Sequence, residues 1–125
     1  MDDPTTQATV HPVILDTDIL IWYFRASAKA RRFIEGVPHE QRITSSLVLM
    51  ELVQGCRRPE EVEEVEAFHR QNIARVVIPD ESVCSRAIDL LKRFAASSGL
   101  RVVDALIAAT ALGHRLSLAT ANTKH

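Results

Sequence analysis

Three carboxylates stand where apolar sequence would otherwise be unbroken. Asp16 ends the run Val13-Ile14-Leu15, Glu51 is the one charged residue between Arg42 and Arg57, and Asp104 interrupts VVDALIAATAL. Singly, each has a structural explanation. Asp16, or Asp18 after it, could cap a helix. Glu51 could lie on an exposed strip of the helix LVLMELVQ, and Asp104 in a first helical turn gains about 0.3–1 kcal/mol from the helix dipole. If Glu51 is buried it needs a partner cation, because an unpaired buried carboxylate costs several kcal/mol. Brought together, the acids repel: two like charges about 4 Å apart at an effective dielectric near 20 cost roughly 4 kcal/mol. Only Arg101 and Lys124 are close in sequence to compensate. An oxygen-only donor set suits a hard cation, Mg²⁺ or Mn²⁺. The chemistry that follows is phosphoryl chemistry, in which a metal pair about 3.5–4 Å apart activates a water and stabilises a leaving oxygen. If the acids converge without metal, at least one carboxyl should have a raised pKa.

Other chemistries find less support. The five histidines show no HxH or HExxH spacing, which leaves them surface or capping roles. There is no GxSxG, no comparable cysteine-nucleophile signature and no P-loop. Cys56 and Cys84 lack CxxC spacing and are read as reduced, buried thiols of a cytoplasmic protein. Fifteen basic against sixteen acidic residues give a net charge of -1, so any nucleic-acid contact must be local. The densest basic stretch holds Arg25, Lys29, Arg31 and Arg32. At helical spacing Arg25, Lys29 and Arg32 share a face, either a solvated one or one that holds a phosphate backbone.

The elements that must position these groups alternate. Val13–Leu15 reads as a strand buried on both faces. A helical hairpin follows over Ile19–Glu35, stopped by Gly36 and Pro38. Ile43-Thr44-Ser45-Ser46 leads into an almost wholly apolar helix capped by Ser45 or Ser46 and ended by Gly55. Pro59 opens a surface helix with the stripe Val62, Val65 and Phe68. Arg75–Pro79 is a second strand, and Asp80 caps a helix through Val83, Ala87, Leu90, Leu91 and Phe94 that closes at Gly99. A last helix, Val102–Leu112, precedes a third strand, Leu116–Thr120, with Asn122 just beyond it. Short apolar strands alternating with helices predict an α/β fold with a parallel sheet covered on both faces. Such sheets carry their polar sites at the carboxyl ends of the strands. With 125 residues, 46% apolar and 25% charged, the chain is read as one globular domain over residues 1–125, residues 1–11 being a loose N-terminal tail. No apolar run approaches the roughly 20 residues of a membrane span.

The stretches VILDTDILIWYF, ITSSLVLMELVQG, LRVVDALIAATAL and LATANTKH together resemble the PIN-domain ribonucleases, in particular the VapC toxins of bacterial toxin–antitoxin pairs. Order and spacing agree along nearly the whole chain. The resemblance implies a three-layer α/β/α sandwich around a central parallel β-sheet and a Mg²⁺- or Mn²⁺-dependent endoribonuclease. By motif position Asp16, Glu51 and Asp104 are the metal-binding acids, with water attacking in line to leave 5′-phosphate and 3′-hydroxyl ends. Asn122, where relatives carry aspartate or asparagine, has a supporting role. Thr17, Asp18 and Thr120 fall where similar proteins orient the acids or metal waters. Relatives usually continue past the position of His125 through a phenylalanine into a last strand. The resemblance also implies a homodimer and a VapB-type antitoxin whose C-terminal segment covers the acidic pocket, forming a toxin–antitoxin hetero-oligomer.

Two other functions compete. A catalytically silent PIN-fold module would bind RNA without cutting it. Asp16-Thr17-Asp18 after an apolar strand also looks like the DxD of haloacid-dehalogenase-like phosphatases, although no acid pair follows a later strand. A receiver-type signalling domain would need a mid-chain acceptor aspartate, and none lies between Asp18 and Asp80.

Overall fold

A computed structural model of the chain describes residues 12–120, so the expected N-terminal tail lies outside the described residues. Four short strands, β1 (Val13–Leu15), β2 (Arg42–Ser45), β3 (Arg75–Val77) and β4 (Ser117–Ala119), form one parallel sheet in the order β3-β2-β1-β4. Among the described residues six α-helices flank it: α1 (Thr17–Phe24), α2 (Ala28–Gly36), α3 (Ser46–Gln54), α4 (Pro59–Asn72), α5 (Glu81–Ser98) and α6 (Val102–His114). This is the expected α/β architecture with a central parallel sheet. Ile14 and Leu15 are adjacent, so they point to opposite faces of β1. Both are fully buried, which means helices cover the sheet on both sides.

The chain winds outward from β1 through β2 to β3, then returns to place β4 on the other flank of β1. In register, Ile14 faces Ile43 of β2 and Leu118 of β4. The reversal of direction beside β1 opens a crevice at the carboxyl ends of β1 and β4. Helices α1 and α4 are clamped by aromatic contact, with Tyr23 and Phe24 lying 4.7 and 5.4 Å from the Phe68 ring. Helices α5 and α6 pack on each other through Val83, Ala87, Ala105 and Ala109.

Several features differ from the sequence reading. Three strands were expected, and β2 is a fourth, inside the sheet. Its Thr44 and Ser45 are fully buried polar residues, so hydrophobic patterning does not mark them. The strand is anchored instead by Arg42, whose Nε donates to the Val37 carbonyl at 2.8 Å and whose Nη1 donates to Asn72 Oδ1 at 3.3 Å. Ser45 then caps α3, its Oγ accepting from the Leu47 amide at 3.0 Å.

The hairpin of α1 and α2 breaks at Ala26, whose φ of 63° no helix accommodates. Arg25 is therefore the C-cap of α1, while Lys29 and Arg32 belong to α2, and the three do not share one helical face. The helix α3 is not buried all round, because Met50 and Val53 face solvent. Cys84 is exposed on the outer side of α5 and Cys56 is half-buried, so neither is the buried thiol expected. His69 lies in the core beside Phe68 rather than on the surface. No helix among the described residues is long and apolar enough to cross a membrane.

Candidate active site

The crevice beside β1 is built from Asp16 outward. As the first residue past β1 it is the N-cap of α1, and its Oδ1 accepts the Thr17 amide at 2.6 Å. Its own amide donates to the Ala119 carbonyl at 2.9 Å, tying it to the end of β4. The residue just past that strand, Thr120, bonds the Asp16 carboxyl through its side chain. Asp16 is thus held between the start of α1 and the end of β4 at the switch point. Burial pushes its carboxyl above the ordinary carboxylate value, and the nearby charges of Asp18 and Asp104 add to the effect. The bonds from Thr17 and Thr120 act the other way. The raised carboxyl expected of converging acids is therefore Asp16, with burial rather than repulsion as the largest cause.

Thr17 joins the second acid to this centre. Its hydroxyl, nearly buried, donates to Glu51 Oε1 at 2.5 Å across 34 residues of sequence. Glu51 projects from α3, whose Val48 and Leu52 are buried in the core. The carboxylate is half-buried, and its hydrogen-bond partner is this hydroxyl rather than the cation anticipated for a buried acid. On one side Glu51 opens into a cleft of about 510 Å³ of mixed charge that also holds Arg25 and Arg57 together with Glu61 and Glu64. On the other it lines a cleft of about 610 Å³ with Arg101 and Asp104.

Asp104 occupies the first turn of α6 and is solvent-exposed, with Arg101 as the N-cap residue of that helix. Asp18, in the first turn of α1, is exposed as well. Among the described residues the one ion pair is Arg58 with Glu61 at 3.6 Å, at the start of α4, and Glu61 lines the same cleft as Glu51. The basic candidates separate: Arg25 faces the Glu51 cleft, Lys29 lines a different groove against β4, and Arg32 is exposed on α2. Asn122 lies outside the described residues. Arg57 went unnoticed in the sequence, where the available signal was its position just past Gly55, the end of the helix that carries Glu51.

The acids gather at one edge without closing into a cage: among the described residues no three His, Cys, Asp or Glu side chains stand together as a metal site. The donors nevertheless fit a hard cation, because Mg²⁺ takes one or two carboxylates and completes its shell with water and substrate phosphate. The half-buried Asp16, whose charge is disfavoured as it stands, is the kind of ligand a cation would relieve.

Residues 13–125 match the family described as PIN domain. No curated protein matches the chain in sequence. Among solved structures it is similar to a toxin–antitoxin complex from Klebsiella pneumoniae, with 26% identity and a TM-score of 0.75 over 90% of this chain and 88% of that one. VapC20 of Mycobacterium tuberculosis, a sarcin-ricin-loop-cleaving toxin, aligns with a TM-score of 0.73 at 20% identity, covering 90% of this chain and 91% of that one. DNA-bound VapBC from Salmonella typhimurium aligns at 0.71 and 21% identity, covering 91% and 89% respectively.

Proposed function

The chain belongs to the PIN-domain family, and from that premise we propose that it is a Mg²⁺- or Mn²⁺-dependent endoribonuclease, the toxin of a VapBC-type toxin–antitoxin pair. The observation that supports the reading is that Asp104 shares a cleft with Glu51 and acts through its charge on Asp16, three acids from separate elements near the end of β1. Asp16 and Asp104, with Glu51 beside them, would hold the cation. When bound, such a cation supplies a water that ionises near neutral pH and stabilisation for charge developing on a phosphodiester.

The protein's own part is positioning. Thr17 fixes the Glu51 carboxylate, and Thr120 with the Thr17 amide fixes that of Asp16, so two acids are oriented before any ligand arrives. Asp18 adds negative potential at the same edge. Arg25, Arg57 and Arg101 flank Glu51 from its two clefts, where they can meet the phosphates on either side of a scissile bond. Lys29 and Arg32 on α2 extend the basic surface, and Asn122 is retained as a supporting residue on the strength of its motif position.

A VapB-type antitoxin and a homodimer complete the reading. Support for the antitoxin comes from the Klebsiella and Salmonella complexes, and for the dimer from exposed apolar side chains such as Met50 and Val53 on α3 and Ile88 on α5. The phosphatase alternative falls with the family match. A silent PIN-fold RNA-binding module is distinguished by mutation of Asp104, an exposed side chain the fold does not need. Asp104→Asn should slow metal-dependent RNA cleavage by more than the roughly 10–100-fold typical of losing a hydrogen bond behind a metal ligand. Equal rates in the parent and variant at the same metal concentration would refute the assignment.

A further inference from the structure

Between α1, α2 and the strand β4 lies a groove of about 630 Å³ that the chemistry above does not use. Its walls are Ile19, Trp22 and Phe33 from the helices and Leu118 from β4, and among the described residues the one charge in its lining is Lys29. Trp22 is 47% and Phe33 42% exposed, large aromatic faces left open to solvent. The surroundings are basic: residues 25–36 hold Arg25, Lys29, Arg31 and Arg32 against one acid, Glu35. The Arg25 guanidinium, which lines the neighbouring Glu51 cleft, lies 5.7 Å from the Trp22 ring centre.

An aromatic trough with Lys29 in its lining and no acid among the described residues that line it suits single-stranded nucleic acid, because bases stack on the rings while basic side chains follow the backbone. The groove also joins the acid edge. Thr120 lines one end of it and bonds the Asp16 carboxyl. A base seated in the groove therefore belongs to the same strand that presents its phosphodiester to the acids.

Resting on the nuclease reading above, we propose that this groove is a subsite for an unpaired RNA base, held by Trp22 and Phe33, with Lys29 meeting a neighbouring phosphate. It selects single-stranded over duplex RNA, since a paired and stacked base offers no face to the rings. An amphipathic peptide helix would also fit the apolar walls. Lys29 and the lack of acids among the described lining residues favour a polyanion.

Trp22 is the chain's single tryptophan, so its fluorescence reports on this groove. The test titrates the full chain, in EDTA so that nothing is cut, with single-stranded RNA octamers, the same octamers made abasic, and an RNA duplex. The base-bearing octamers should quench Trp22, and the abasic ones and the duplex should not. Phe33→Ala, at an exposed position, should weaken binding roughly 5- to 150-fold. Lys29→Ala should lower the salt dependence by about one phosphate contact.

Binding without any change in Trp22 fluorescence, or equal quenching by abasic octamers, would overturn the subsite. So would quenching by an amphipathic helical peptide but by no RNA, which would make the groove a protein-docking surface. Metal-dependent cleavage that is unchanged in both Trp22→Ala and Phe33→Ala removes the subsite and leaves the nuclease standing. Quenching by RNA that is never cut in Mg²⁺ or Mn²⁺ does the reverse.

Discussion

The hydrogen bond from Thr17 to Glu51 ties α1 to α3 and carries the positioning argument, so its removal is the most informative stability experiment. Thr17→Val keeps the side chain's shape and deletes the hydroxyl that donates to Glu51 Oε1 at 2.5 Å. A bond to a charged acceptor contributes about 1.5–3 kcal/mol when well buried. Thr17 is 9% exposed, but Glu51 keeps partial contact with water, so the lower end applies, about 1.5 kcal/mol. Valine and threonine have nearly equal helix propensities, so little of the change is local. That amounts to about a ten-fold shift in the folding equilibrium. For a chain of this length it is roughly 6 °C in melting temperature. The assay is urea unfolding of the parent, Thr17→Val, Glu51→Ala and the double variant. The two changes should be coupled by about 1–1.5 kcal/mol, because each removes the same bond. Coupling smaller than about 0.3 kcal/mol, the range in which unrelated sites add, would show that Thr17 does not hold Glu51.

Three further outcomes follow from buried polar groups. Burial pushes the His69 imidazole below its ordinary value of 6.5, with Nδ1 against the Val65 carbonyl at 2.9 Å and Nε2 without a partner among the described residues. The unfolded chain therefore takes up its proton first, and stability present above about pH 6.5 is lost as pH falls below it. His69→Phe should flatten the decline in urea midpoint between pH 7 and 5, and an equally steep decline would contradict the assignment. Thr44 Oγ1 is buried with no partner among the described residues, so Thr44→Val should stabilise the fold by about 1 kcal/mol in the same assay. Asp16, raised above 3.8, has the opposite sign to His69: its contribution is present at low pH and lost as pH rises through the folded value. Asp16→Asn, which can still cap α1, should raise the metal-free melting temperature at pH 7, and a fall would count against the burial argument.

The parts of the fold that burial and capping dictate were legible in the sequence. Three apolar residues marked β1, and Ser45, Asp80 and Gly99 marked helix ends that the structure confirms by hydrogen bonds or by a left-handed φ. The strand β2 escaped notice because its buried residues, Thr44 and Ser45, are polar. His69 escaped because a histidine flanked by Arg70 and Gln71 reads as surface, whereas Phe68 carries it into the core. The basic face of Arg25, Lys29 and Arg32 failed on backbone geometry, since alanine gives no warning of a positive φ at position 26. In the site, each acid stood out as a charge in an apolar segment. Their connections were hidden: Thr17 with Glu51 and Asp16 with Thr120 are partners that only the sheet order brings together.

The central claim is that the acids at the end of β1 cut RNA with a divalent cation, and sequencing of cleavage ends tests it most directly. Antitoxin-free protein and Asp16→Asn would each be incubated with total bacterial RNA in Mg²⁺, Mn²⁺ or EDTA, and new 5′ ends mapped. Discrete 5′-phosphate ends that appear with metal and vanish in EDTA and in the variant are the expected result. Ends that persist in EDTA, or that Asp16→Asn produces as fast as the parent, would contradict the account.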